Sequence, residues 1–231
     1  MSRRVLLICY YFPPLGLGGI GRPLNLFKGL PQHGWDCDIL TVKPVTYRAY
    51  EPELLEGLDT SRIHRAGSHD PQRLLYLLGI RKVKAGTISR GRKVSGKFFP
   101  DSKIGWVKAA VRKGRSLCER NRYDAVVSTS PPISSHLIGR ELSRRFNLPW
   151  VADFRDPWTS IDYFHNLPLT RSSLKKHENL EKEVLKNADR VIVVGDRMKQ
   201  EYDACNKNVR VISNGYDTYG PQGAVTLDPE F

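Results

Sequence analysis

Residues Arg4-Val-Leu-Leu-Ile-Cys-Tyr-Tyr-Phe-Pro-Pro-Leu-Gly-Leu-Gly-Gly-Ile-Gly-Arg-Pro-Leu-Asn-Leu26 pass from an apolar run through a glycine turn into a helical pattern. The run Arg4–Tyr11 reads as a buried strand, and a helix is expected from about Arg22 to His33. Met1-Ser-Arg-Arg ahead of that run mimics a short signal peptide. The apolar stretch nevertheless meets Pro13-Pro14 with no small-residue cleavage site, which favours a first strand. Gly16, Gly18 and Gly21 satisfy a GxGxxG spacing. Between a strand and a helix, such a loop turns backbone N–H groups and a helix N-terminus toward phosphate. A dinucleotide site would also need an acid closing the second strand, roughly 20 residues on. That strand, Trp35–Val42, closes on Thr41-Val-Lys43, and Asp38 comes too early. NAD binding is therefore disfavoured. A phosphate-bearing ligand of another kind, or a purely structural tight turn, remains open.

Outward from this unit the alternation continues. Gly34 fits a helix C-cap before the second strand. Further strands are expected at Arg62–Ala66, Asp124–Thr129, Pro149–Asp153, Arg190–Val194 and Val209–Ile212. A helix over Ile133–Phe146 would bury Ile133, Leu137, Leu142 and Phe146. Another over Leu174–Asn187 would bury Leu180 and Val184, with Ala188 following. Strands separated by helices pair in parallel and are covered on both faces, so the expected fold is a Rossmann-like doubly wound α/β sheet, mostly parallel. The domain is placed at residues 1–213, and residues 214–231, rich in Gly and Pro, read as a linker.

The chain has 231 residues, 40% hydrophobic and 26% charged, enough for one α/β domain, or two small ones, with a sizeable core and against disorder. No apolar run approaches the ~20 residues of a membrane span. Four scattered cysteines (Cys9, Cys37, Cys118, Cys205) lack ligand or staple spacing and fit a reducing cytoplasm. His33, His64, His69, His165 and His177 likewise show no ligand spacing, and no metal is expected.

The net charge of +13 is concentrated. Residues 81–120 hold thirteen basic residues and two acidic ones, +11 of the total. Within them Lys103–Cys118 places Ile104, Val107, Val111 and Cys118 near helical spacing, with Lys103, Trp106, Lys108, Arg112, Lys113 and Arg115 as the membrane-facing candidates. A basic amphipathic helix of this kind suits an anionic membrane surface. A solvated helix face beside a basic loop explains it equally. Nucleic acid is disfavoured, because no helix-turn-helix, zinc or base-stacking signature accompanies the charge.

Tyr11–Leu26 and His33–Val42 are followed in order by Phe99-Pro-Asp101 with Trp106, Ser130-Pro-Pro-Ile-Ser-Ser-His136, and Val151-Ala-Asp-Phe-Arg-Asp-Pro-Trp158. Ala188–Val194 and Ile212-Ser-Asn-Gly-Tyr-Asp217 complete the set. It resembles the N-terminal domain of family 4 glycosyltransferases of the GT-B fold across about residues 3–217. The resemblance implies one of two facing Rossmann-like domains, this one holding the acceptor and offering its glycine loop to the diphosphate of a nucleotide-sugar donor. Gly18, Gly19 and Arg22 would then face the diphosphate. Transfer with retention is implied, to a cell-surface polysaccharide or lipid-linked acceptor, with the nucleotide-sugar as substrate and no cofactor. The family's frequent histidine after the fifth strand is replaced here by Asp153-Phe-Arg155-Asp156. Asp153, Arg155 and Asp156 are taken as catalytic candidates at a strand's carboxyl end, or else as an Asp–Arg pair that pins the loop. His136 is a further candidate toward acceptor or sugar hydroxyls, with Ser134 and Ser135 as helix caps.

The family's donor site uses two glutamates eight positions apart in its C-terminal domain, and no two glutamates here have that separation. The resemblance thus implies that the donor half lies outside this chain and that the chain is not active by itself. It would be cytoplasmic, peripheral on the inner leaflet. A stand-alone sugar- or phosphate-binding module, or a regulatory fragment, is the alternative.

Overall fold

The computed structural model describes residues 2–16, 19–44, 50–70, 98–162, 164, 167 and 169–215. Seven strands form one sheet in the order β3-β2-β1-β4-β5-β6-β7, with every pairing parallel. They are β1 (Arg3–Ile8), β2 (Trp35–Val42), β3 (Ile63–Ala66), β4 (Ala125–Ser130), β5 (Trp150–Phe154), β6 (Arg190–Val193) and β7 (Val209–Val211). Among the described residues the α-helices are α1 (Gly21–Gly29), α2 (Ile104–Arg120), α3 (Ser134–Phe146), α4 (Arg171–Asn187) and α5 (Asp196–Tyr202). The order reverses between β1 and β4, and at such a switch point the loops leaving the strand ends diverge and open a crevice.

β1 is buried on both faces. Leu6 and Ile8 join the larger core with α2, α3 and α4, and Val5, Leu7 and Cys9 join a smaller one closed by Phe27 of α1. This double burial explains the unbroken apolar run, where a one-sided strand would alternate. After α1 a short 3-10 turn, Leu30–His33, ends on Gly34 at φ +76°, a left-handed position that glycine adopts without strain. The expected single helix to His33 is therefore a helix and a tighter turn. Helix cover is uneven. On the α1 side, Val127, Val151 and Ile192 of β4–β6 form the floor of an apolar groove of about 480 Å³ that Asn25 and Leu26 of α1 line from one side.

The helix faces differ from the expected stripes. α2 buries Trp106, Ala110, Gly114 and Leu117, one position from the stripe of larger apolar residues. The reason is close approach to α3, since a Cβ on Gly114 would lie 2.4 Å from a methyl carbon of Leu142. Small residues, which carry little hydropathy, therefore define the buried side. In α3 the inward positions are Ser134, Ser135, His136, Ile138, Gly139 and Leu142, and Leu137 is turned partly out. α5 was not expected from the sequence. Its seven residues, six of them polar or charged or Tyr, bury only Met198 and Tyr202.

Candidate functional site

The crevice begins where β1 ends. Cys9, Tyr10 and Phe12 continue the buried path, and Leu15 forms a bridge with Tyr50. A Cβ on Gly16 would fall 2.2 Å from the Glu51 carboxyl carbon, the movable end of an exposed side chain. Gly19 has φ +97°, and a Cβ on it would lie 2.5 Å from Nη1 of Arg155. Gly21 opens α1 with nothing within 4 Å of an added Cβ. α1 has no side-chain N-cap and no acid in its first turn. The turn therefore presents an uncapped helix N-terminus to open space. Gly18 lies outside the described residues.

Arg155 explains the shape of the turn. Its Nε donates to the Ser130 carbonyl at 2.9 Å and Nη2 to that of Pro131 at 3.0 Å, and Nη1 donates to the carbonyl of Gly19. One buried guanidinium thus joins the β1–α1 loop to the end of β4. Burial draws its pKa down from the ordinary arginine value, while Asp153 and Asp156 act in the opposite sense. Asp153 is 1% exposed and fully engaged. It receives Nε of Arg22 at 3.1 and 3.0 Å, Nη2 of Arg22 at 2.8 Å, and the Thr129 hydroxyl at 2.7 Å. Nη1 of Arg22 donates to the carbonyls of Ile212 and Ser213, each at 3.0 Å.

Several expectations are corrected by this geometry. Asp153 is buried, is engaged by Arg22 and Thr129, and does not line the polar crevice, which Arg22 does. The pinning Asp–Arg pair exists, but its arginine is Arg22, while Arg155 holds three carbonyls. Arg22 lines the crevice with much of its donor capacity already committed. Asp156 alone of the three acidic-arginine-acidic residues is exposed, and it lies on the crevice wall. That cavity measures about 400 Å³ and is lined by Gly19, Gly21, Arg22, Pro131, Arg155 and Asp156 with Asn214 and Gly215.

His136 does not reach the crevice. It is completely buried, 4.3 Å ring to ring from Phe154, with Nδ1 2.8 Å from Ser128 Oγ. Ser128 Oγ accepts from the Trp150 indole at 2.8 Å, so its own hydrogen is available to Nδ1. Nε2 of His136 has no hydrogen-bond partner, and desolvation pushes the ring's pKa down to about 3. The imidazole is a neutral core group that braces β4 against α3. Helix capping also differs from the expectation. Asp101 takes the Ser134 amide and hydroxyl, both at 2.8 Å, so the cap of α3 is supplied by a distant carboxylate.

The membrane-facing set divides. Trp106 is wholly buried, edge-on to Tyr10 at 5.2 Å, and Lys103 is a buried ion-pair partner of Asp70. Both are removed from any surface by packing at the start of α2. Lys108 and Arg112 are exposed, and Lys113 and Arg115 are half-buried. Residues 81–97 of the basic window lie outside the described residues. No described helix is long and apolar enough to cross a membrane. Asp38, too early for a ribose contact, is buried. It pairs with Arg4 at 2.8 Å and accepts from Tyr123 at 2.5 Å. Burial would raise its pKa, but the nearby His64 ring (Nε2 at 3.8 Å), the Tyr123 hydroxyl and Arg4 hold it at about 2. Among the described residues, no three His, Cys, Asp or Glu side chains gather as a metal site.

A parallel sheet with a glycine turn, an uncapped helix and two arginines at its switch point defines a Rossmann-like domain with a polar crevice above the strand ends. Residues 18–219 match the model of Glycosyltransferase Family 4, and the chain belongs to that family. Among solved structures it resembles a UGT transferase from Siraitia grosvenorii in complex with UDP. The identity is 10% and the TM-score 0.50, covering 88% of this chain and 47% of that one. A UDP-glucosyltransferase from Polygonum tinctorium gives 11%, 0.51, 93% and 53%, and MurG from Acinetobacter baumannii gives 16%, 0.44, 84% and 42%. The two plant-enzyme likenesses show the fold, and the chain spans about half the length of each of the three proteins. No curated protein matches it.

Proposed function

We propose that this chain is the acceptor-side lobe of a retaining glycosyltransferase that uses a nucleotide-sugar donor. The observation that carries the reading is the crevice at Gly19, Gly21, Arg22 and Arg155 in a chain of this family. Diphosphate oxygens need close-approaching backbone and positive charge, and a glycine turn held by an arginine beside an uncapped helix supplies both. A donor diphosphate seated there would present its sugar across the loops leaving β4 and β5. The acceptor hydroxyl then forms the new bond to the anomeric carbon as the anomeric carbon–phosphate oxygen bond breaks. Its proton passes to the departing diphosphate on the same face. Such a step depends on placement and charge stabilisation more than on a strong protein base.

In this reading a polysaccharide or lipid-linked acceptor meets the crevice on the side of Asp156. Lys108 and Arg112 would hold the domain against an anionic membrane surface where such acceptors reside. A second lobe would close over the donor and exclude water. The test supplies the isolated chain with UDP- and GDP-sugars and lipid-linked acceptors. Nucleotide-sugar binding without turnover is expected. Robust turnover would overturn the division of labour between lobes, and no binding of either nucleotide-sugar would overturn the donor crevice.

A further inference from the structure

The loops that follow β4 and β5 build a second cavity of about 250 Å³ beside the polar crevice. Its surface is largely apolar and aromatic, from Phe98, Ile133, Trp158, Ile161, Leu169 and His177. The polar edges of its wall are mostly turned to one another. The Trp158 indole N–H donates to Nδ1 of His177 at 3.1 Å, and the His177 ring stands edge-on to Phe99 at 4.8 Å and Phe164 at 5.3 Å. Burial lowers the pKa of His177, against the opposing pull of Asp101, and so favours its neutral form. Phe98, 46% exposed, marks the open side.

Pro131 and Asp156 border both cavities, so the exposed Asp156 carboxylate stands where the polar space meets the apolar one. A ligand filling both must be amphiphilic, with its polar part within reach of Asp156. We infer that the aromatic cavity takes a compact apolar portion of the acceptor, a ring or short alkyl chain, while the acceptor hydroxyl rests at Asp156 facing the donor crevice. This rests on the glycosyltransferase reading above and adds the acceptor's chemical class. The glycine turn and arginines have no part in holding that apolar portion, so the two cavities fail or succeed separately.

The experiment titrates the full chain with methyl, phenyl and n-hexyl β-glucosides, following Trp158 fluorescence with Trp158→Phe as the blank. A buried methylene is worth roughly fourfold in affinity. Phenyl and hexyl glucosides should therefore bind at least about tenfold tighter than methyl, and the tighter of the two distinguishes an aryl from a lipid-like acceptor. Ile161→Glu should abolish the preference and the milder Leu169→Ala should reduce it, each leaving UDP affinity unchanged. Val127→Glu, in the apolar groove on the sheet, should leave the preference intact. Equal binding of the three glucosides overturns the inference. So does a preference that survives Ile161→Glu or disappears with Val127→Glu. If UDP fails to bind while the preference stands, the donor reading fails and the apolar cavity remains.

Discussion

Replacing Asp153 with alanine isolates the interaction that orients α1 over the sheet. The carboxylate is 1% exposed, and the Arg22 side chain is 10% exposed. Three N···O contacts of 2.8–3.1 Å and the Thr129 hydroxyl at 2.7 Å converge on it. Its removal leaves a guanidinium nearly out of water with no counter-charge, which costs about 3–5 kcal/mol. Thr129 also loses its acceptor, adding about 1 kcal/mol. For a domain of this size each kcal/mol corresponds to about 2–4 °C, so Tm should fall by roughly 8–24 °C. Asp153→Asn keeps an acceptor for Thr129 and should cost about half as much. Urea denaturation of Arg22→Met, Asp153→Ala and the double variant supplies the cycle. The double variant should be more stable than the summed single losses by about 1–3 kcal/mol. A loss below about 1 kcal/mol for Asp153→Ala, or strict additivity, would refute the claim that this pair fixes the crevice.

Acid should weaken the fold through His136. Its folded pKa lies near 3 and its unfolded value near 6.5, so the unfolded chain takes the proton first. The stability it contributes is complete above about pH 6.5 and is lost as pH falls toward 3, on the order of 5 kcal/mol in total. His136→Phe should flatten that part of a urea-derived stability profile, and an unchanged slope would contradict the buried neutral ring. Gly139→Ala tests the neighbouring contact, since its Cβ would meet Trp150 Nε1 at 2.6 Å and Ser128 Oγ at 2.8 Å. Overpacking of about 1–3 kcal/mol should exceed the ~1 kcal/mol that alanine gains in helix propensity, and a stabilised variant would show the contact to be slack. Lys108→Ala with Arg112→Ala should reduce binding to anionic vesicles at low salt roughly thirtyfold, at about 1 kcal/mol per charge. If the unaltered chain does not sediment with such vesicles, the exposed face of α2 is only a solvated one.

The sheet was legible because each strand of a doubly covered parallel sheet is a short apolar run between turn residues, and Arg4–Tyr11 and Asp124–Thr129 carry that signal openly. Buried helix faces were less so. α2 approaches α3 closely through Gly114, and α3 approaches β4 and β5 through Gly139, where the absence of a side chain is the packing feature and hydropathy gives no contrast. The site was found in outline, since glycines after a first strand and charges after a fifth mark a crevice. Its internal pairing depends on residues 131 positions apart for Arg22 and Asp153, and 136 for Arg155 and Gly19, distances over which sequence carries no geometry. Asp101 escaped notice as a cap for the same reason, standing 33 positions from Ser134. His136 misled because a polar residue beside a strand end resembles a ligand group, while burial had made it part of the core. The aromatic cavity had a partial signal in Pro157-Trp158 just after β5, while Phe98-Phe-Pro100 before α2 and His177 within α4 reach it only through the fold.

The most direct test of a diphosphate-accepting crevice is a titration of the isotopically labelled chain with UDP, inorganic pyrophosphate and uridine, followed by amide and arginine side-chain NMR. Saturable shifts at Gly19, Gly21 and the Arg22 and Arg155 guanidinium signals are expected with UDP and pyrophosphate but not with uridine. Shifts confined to other parts of the fold, or equal responses to uridine and UDP, would contradict the account.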